Sequence, residues 1–71
     1  MASQRDRYLE LILERIHEDR YPSGELMDMA EAAFTRPEHV AAYVDVLLDK
    51  AAETWYPSKQ MLGRIARHAA P

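Results

Sequence analysis

Cysteine is absent from this 71-residue chain, glycine occurs only twice, and no apolar run approaches the roughly 18–20 residues that cross a bilayer. Each absence excludes something. Without cysteine there is no disulfide and no thiolate-held metal. With Gly24 and Gly63 isolated from one another, there is no Gly-rich loop to cradle a phosphate. The serines, Ser3, Ser23 and Ser58, each precede an apolar-periodic segment and read as helix caps rather than nucleophiles. His17, His39 and His68 have none of the spacings of zinc motifs. The opening MASQRDRYLE has no apolar h-region, so no signal peptide is expected and a cytoplasmic chain is the reading.

What is present points to helices. Hydrophobic residues make up 48% of the chain and charged residues 30%, a balance that suits a folded globular chain rather than a disordered one. Ala, Leu, Met, Glu and Arg are plentiful, and all are good helix formers. The length fits a single domain over 1–71. So short a chain buries a modest fraction of its surface and often leans on a partner subunit.

Tyr-Pro-Ser occurs at 21–23 and again at 56–58. Shifting the sequence by 35 sets YLELILERIHEDRYPSGELM (8–27) on YVDVLLDKAAETWYPSKQML (43–62), with six of twenty pairs identical and nine more conservative. Internal repeats over about 7–34 and 42–69 follow from this match. Each repeat reads as helix, corner, helix. Proline ends one helix, because the residue before it is pushed out of the α region, and serine caps the next. The tyrosine rings are expected to pack under the corners. Ser3 with Asp6, and Thr35 with Glu38, match the capping-box pattern ahead of the first and third helices. Helices are therefore expected near 4–20, 24–34, 37–54 and 59–69. A period of 35 is that of helical-hairpin arrays, but the tetratricopeptide signature is absent and two repeats are fewer than such arrays need. The expected fold is all-α, a four-helix domain of two helix-corner-helix repeats with an internal pseudo-two-fold.

Helical wheels give each long helix two apolar faces. In the first, Leu9, Ile12, Leu13 and Ile16 form the main stripe, with Tyr8 and Leu11 off it. In the third, Val44, Leu47, Leu48, Ala51 and Trp55 form the stripe, with Tyr43 and Val46 off it. A helix with two apolar faces buries both or exposes one. Tyr8, Leu11, Tyr43 and Val46 are accordingly the expected interface of a self-associating chain, a dimer in its simplest form. Met29, whose equivalent is Arg64, is a candidate exposed contact.

Charge is uneven. Residues 1–35 carry four basic and eight acidic side chains, and residues 36–71 carry five and four. The second helix holds Glu25, Asp28 and Glu31 with no base, while the fourth holds Lys59, Arg64 and Arg67 with no acid. Opposite charge on equivalent helices steers the two together. Glu14 and His17 form the Glu-x-x-His spacing used by di-iron bundles, yet they point away from the main apolar stripe, so a solvated acidic face is favoured and neither metal nor cofactor is expected. The expected function is a non-enzymatic protein–protein interaction or assembly module. The alternative is a small dimeric DNA-binding protein presenting Lys59, Arg64 and Arg67 from its last helix, against which the net charge of −3 weighs.

Overall fold

The computed structural model describes residues 3–53 and 58–70. It holds four helices: α1 (Gln4–Glu18), α2 (Gly24–Ala32), α3 (Pro37–Glu53) and α4 (Lys59–His68), with no strand among the described residues. Every helix start follows from its residues. Ser3 and Asp6 close the capping box of α1, the Ser3 hydroxyl accepting from the Asp6 N–H at 3.1 Å and an Asp6 carboxylate oxygen accepting from the Ser3 N–H at 3.3 Å. Ser23 and Ser58 cap α2 and α4 by accepting from the N–H of Leu26 and Met61. Pro37 opens α3, where a missing N–H costs nothing.

Some local expectations need correction. No capping box joins Thr35 to Glu38. The Thr35 N–H instead donates to the buried His39 at Nδ1, at 3.1 Å. Tyr21 does not pack under its corner. It stands in solvent, with the Arg20 guanidinium 5.8 Å from its ring centre. The Tyr21–Pro22 bond is trans. Trp55, Tyr56 and Pro57 lie outside the described residues.

α1 packs against α2 and α3, and α3 packs against α4. The expected stripe of α1 is entirely buried, together with Met27 and Ala30 of α2, Tyr43, Val44 and Leu47 of α3, and Met61 and Ile65 of α4. In α3 the buried arc is rotated from the expected one. Tyr43 is fully buried, whereas Leu48, expected in the core, is 47% exposed. The cause is tertiary: the Tyr43 ring meets Phe34 edge-on at 5.2 Å and its hydroxyl reaches α2, which turns that side of α3 inward.

Positions 35 apart are therefore not buried alike. Leu9 and Val44, Ile12 and Leu47, and Ala30 and Ile65 are buried in both halves. Leu13 and Met27 are buried, but Leu48 and Leu62 at the equivalent places are exposed. Conversely, Tyr43 and Arg64 are buried, while Tyr8 and Met29 are exposed. A two-fold axis would bury equivalent residues alike, so this pattern speaks against the two-fold form of the expected symmetry.

The rotation of α3 yields a direct check. Leu47→Ala, at the fully buried centre of the helix, is expected to cost about 3 kcal/mol. Leu48→Ala, its exposed neighbour, should change stability by no more than about 0.5 kcal/mol. Urea unfolding of the two variants under conditions that keep the chain monomeric measures the difference.

Candidate interaction site

Two polar clusters tie the first helical hairpin to the second. In the larger, the Glu31 carboxylate of α2 accepts from the Tyr43 hydroxyl and from Arg64 Nη1, both at 2.5 Å. Arg64 also pairs with Asp28 at 2.8 Å through Nη2. Arg67 Nη1 lies 4.0 Å from the second Glu31 oxygen. His68 Nε2 is 3.4 Å from that oxygen, within ion-pair reach but off the hydrogen-bond direction, so it has no hydrogen-bond partner there. The rings of Phe34, Tyr43 and His68 meet edge to face, with centroids 5.2–5.8 Å apart. Arg64 and Arg67 of α4 thus face Asp28 and Glu31 of α2, two of the bases and two of the acids whose opposite charge the sequence shows.

In the smaller cluster, His39 Nδ1 accepts from the Thr35 N–H, which leaves Nε2 to carry the proton and donate to Asp6 at 2.7 Å. Arg36 donates to the same Asp6 oxygen at 2.7 Å. One carboxylate both caps α1 and anchors the start of α3. At the opposite end of α1, Lys50 is buried and donates to the His17 carbonyl at 2.9 Å, satisfying an acceptor the helix end leaves open.

The electrostatics follow this geometry. The hydrogen bond from His39 holds the Asp6 carboxyl below its ordinary range. Burial would raise the Glu31 carboxyl, but the bonds from Tyr43 and Arg64 outweigh it and hold that group low as well. Burial, followed by the neighbouring Glu31 anion, pushes the Tyr43 hydroxyl up. Burial would lower the Arg64 guanidinium, and its bonds to Glu31 and Asp28 raise it instead. These perturbed groups are spent on one another inside the helix packing.

The residues expected at a site are scattered by this fold. Of the four-residue interface, Tyr8 and Leu11 are exposed on α1, Val46 is half-buried against the core, and Tyr43 is inside the protein. Tyr43 therefore cannot meet a partner, because its ring and hydroxyl are used within the chain. The basic surface loses Arg64 for a similar reason. Its guanidinium is buried between Glu31 and Asp28, leaving Lys59 and Arg67 exposed. Glu14 and His17 are both exposed, and among the described residues no cluster of three or more metal-ligating side chains forms. Met29 is exposed. Glu31 and Lys50 were not singled out from the sequence. The acidic helix was visible there, but which of its acids faces inward depends on where α3 and α4 lie.

Among the described residues the outer surface carries an apolar groove and a hollow of mixed polarity. One is an open groove of about 810 Å³ along α3 and the end of α4, lined by Phe34, Val40, Ala41, Val44, Leu48 and Ala69 among others, with Asp45 at its edge. Leu62 is exposed on α4. The other is on α1, where Tyr8 and Leu11 flank a shallower hollow of about 450 Å³ with Gln4, Arg7, Glu10 and Glu14. No helix among the described residues is long and apolar enough to cross a membrane. No known protein family, curated protein or solved structure matches this chain.

Two measurements check the polar clusters. Glu31→Ala leaves Arg64 buried with half its partners and should cost about 3 kcal/mol. Adding Arg64→Met removes the stranded charge, so the double variant should regain part of that loss while the Tyr43 hydroxyl still lacks its acceptor, a coupling that a double-mutant cycle reads directly. Acid should act on the same groups. Asp6 and Glu31 titrate lower in the folded chain than their ordinary values of 3.8 and 4.5, so below those values the unfolded chain binds protons first. Stability is expected to hold above pH 4.5 and to fall as the pH drops below it, followed by denaturant midpoints down to about pH 3.

Proposed function

We propose that this chain is a non-enzymatic interaction and assembly module that associates with copies of itself, a dimer being the smallest such assembly. It is built of two helix-corner-helix repeats, and it acts through its surface rather than through a reacting centre. The observation that carries this reading is the placement of large apolar side chains. Tyr8, Leu11, Met29, Leu48 and Leu62 are each about half exposed, in a chain whose core is already filled by other residues. Single exposed apolar residues are ordinary, but here Leu48 lines the open groove along α3 and Tyr8 with Leu11 lines the hollow on α1, and apolar side chains placed in this way suit an interaction surface. The perturbed titratable groups point the same way. Asp6, Glu31, Tyr43 and Arg64 tie helix to helix, and none of them lines the groove.

The nucleic-acid alternative draws less support. Lys59 and Arg67 remain at the surface of α4, but Arg67 faces Glu31 and the acids of α2 stand alongside. Two cations beside an acidic helix make a weak phosphate surface.

Light scattering after gel filtration, repeated across a dilution series, tests the assembly reading. The expected mass exceeds the 8.2 kDa of one chain and falls on dilution. A constant mass of one chain at every concentration overturns it. Leu11→Ala should shift the series toward monomer while changing stability by no more than about 0.5 kcal/mol, because the residue is exposed. Val46→Ala should instead lower stability, because Val46 packs on the core.

A further inference from the structure

The unequal burial of positions 35 apart has a direction. We propose that copies of this chain join head to tail, the Leu48–Leu62 face of one copy covering the Tyr8–Met29 face of the next. This rests on the self-association reading above and on the repeat, and it specifies the geometry. Inside one chain the first hairpin offers Asp6, Leu13, Met27 and Glu31, and the second covers them with His39, Tyr43, Lys50 and Arg64. The equivalent of the first set on the second hairpin is Ala41, Leu48, Leu62 and Ala66, all exposed. The equivalent of the second set on the first hairpin is Gln4, Tyr8, Arg15 and Met29, also all exposed. The same contact that joins the halves of one chain is thus left open at both ends.

The open faces differ from the closed ones in a matched way. Arg64 meets Asp28 and Glu31 within the chain. At the equivalent contact between copies, Met29 would meet Gly63 and Ala66, so the cation and both anions are lost together and an apolar contact takes their place. His39 meets Asp6 within the chain, and between copies Gln4 would meet Ala41, again losing both charges. Tyr43 packs on Phe34, while Tyr8 would enter where Ala69 stands, and the smaller side chain there lines the groove that gives the ring room. Lys50 caps the His17 carbonyl, and Arg15 would reach the carbonyl of Ala52, a donor kept as a donor. Gly24 and Gln60 approach closely within the chain, and their equivalents are Lys59 and Glu25, an opposite pair. No like charges oppose one another in any of these substitutions. An interface made of two different patches is heterologous, and it propagates or closes into a ring rather than forming an isologous pair.

Blocking each face separately tests this. One variant carries Leu48→Glu with Leu62→Glu, and the other carries Tyr8→Glu with Met29→Glu. All four positions are exposed, and circular dichroism melting confirms that both variants fold. Each alone is expected at the mass of one chain by light scattering, at concentrations where the parent is larger. Mixed in equal amounts, they should form a species of twice the 8.2 kDa chain mass and nothing heavier, since each keeps the face the other lacks. A parent that stays at one chain mass throughout removes self-association itself, and with it this geometry. A parent that assembles while the mixture stays monomeric, or while either variant alone still dimerises, overturns the head-to-tail arrangement and leaves self-association standing. A second pair keeps the test independent of the apolar variants. Lys59→Glu and Glu25→Lys should each lower the parent's mass at a fixed concentration, and the chain carrying both should regain it.

Discussion

A carboxylate that is mostly removed from water must be answered by donors, and in this protein the Glu31 carboxylate sets where three helices go. It stands on α2, takes the Tyr43 hydroxyl from α3 and the Arg64 guanidinium from α4, and lies beside His68. Arg64 is itself buried and needs an anion as much as Glu31 needs a cation. Hydrophobic burial alone is non-directional and would tolerate several rotations of α3 about its axis. The hydroxyl of Tyr43 has one place to go, and satisfying it selects the rotation that turns Tyr43 inward and Leu48 outward. Asp6 with His39 fixes the other end of the same contact, and Lys50 of α3, bonded to the His17 carbonyl at the end of α1, fixes the third point. Three polar ties between two hairpins determine a register that apolar packing would leave loose.

That register has a consequence for the surface. Because the first hairpin meets the second through unlike faces, each hairpin keeps its other face free. A symmetric arrangement would have buried Leu48 as it buries Leu13, and Tyr8 as it buries Tyr43. In the proposed head-to-tail arrangement the exposed Leu48, Leu62, Tyr8 and Met29 would meet between copies at the place the ionic cluster occupies within the chain. The division is physically reasonable. Buried charge fixes geometry within a chain whose halves cannot part, whereas the proposed contact between separate copies would bury less charge and rely more on apolar area.

The helices were legible because their signals are local. Ser3, Ser23 and Ser58 cap where they stand, Pro22 sits in the first corner, and the four helices begin and end within two residues of the positions read from caps and periodicity. The stripe of α1 was legible because Leu9, Ile12, Leu13 and Ile16 repeat at the helical period. The opposite charge of α2 and α4 was legible as composition, and the two do meet. Thr35 with Glu38 shows where local reading stops. The capping pattern is present, but His39 is drawn to Asp6 across the fold and its other nitrogen takes the Thr35 N–H.

By itself the sequence determined the helices and the first corner, because each depends on neighbours within a turn or two of helix. Only the tertiary structure decided which face of α3 is inside, which acid of α2 holds Arg64, and which members of each repeated pair reach solvent. Those outcomes depend on contacts between residues 12 to 33 positions apart, among them Glu31 with Tyr43 and with Arg64, and Asp6 with His39. The helical wheel of α3 put Leu48 on the main stripe and Tyr43 off it, and the fold reverses the two. The hydrogen bond that Tyr43 can make, and Leu48 cannot, separates them.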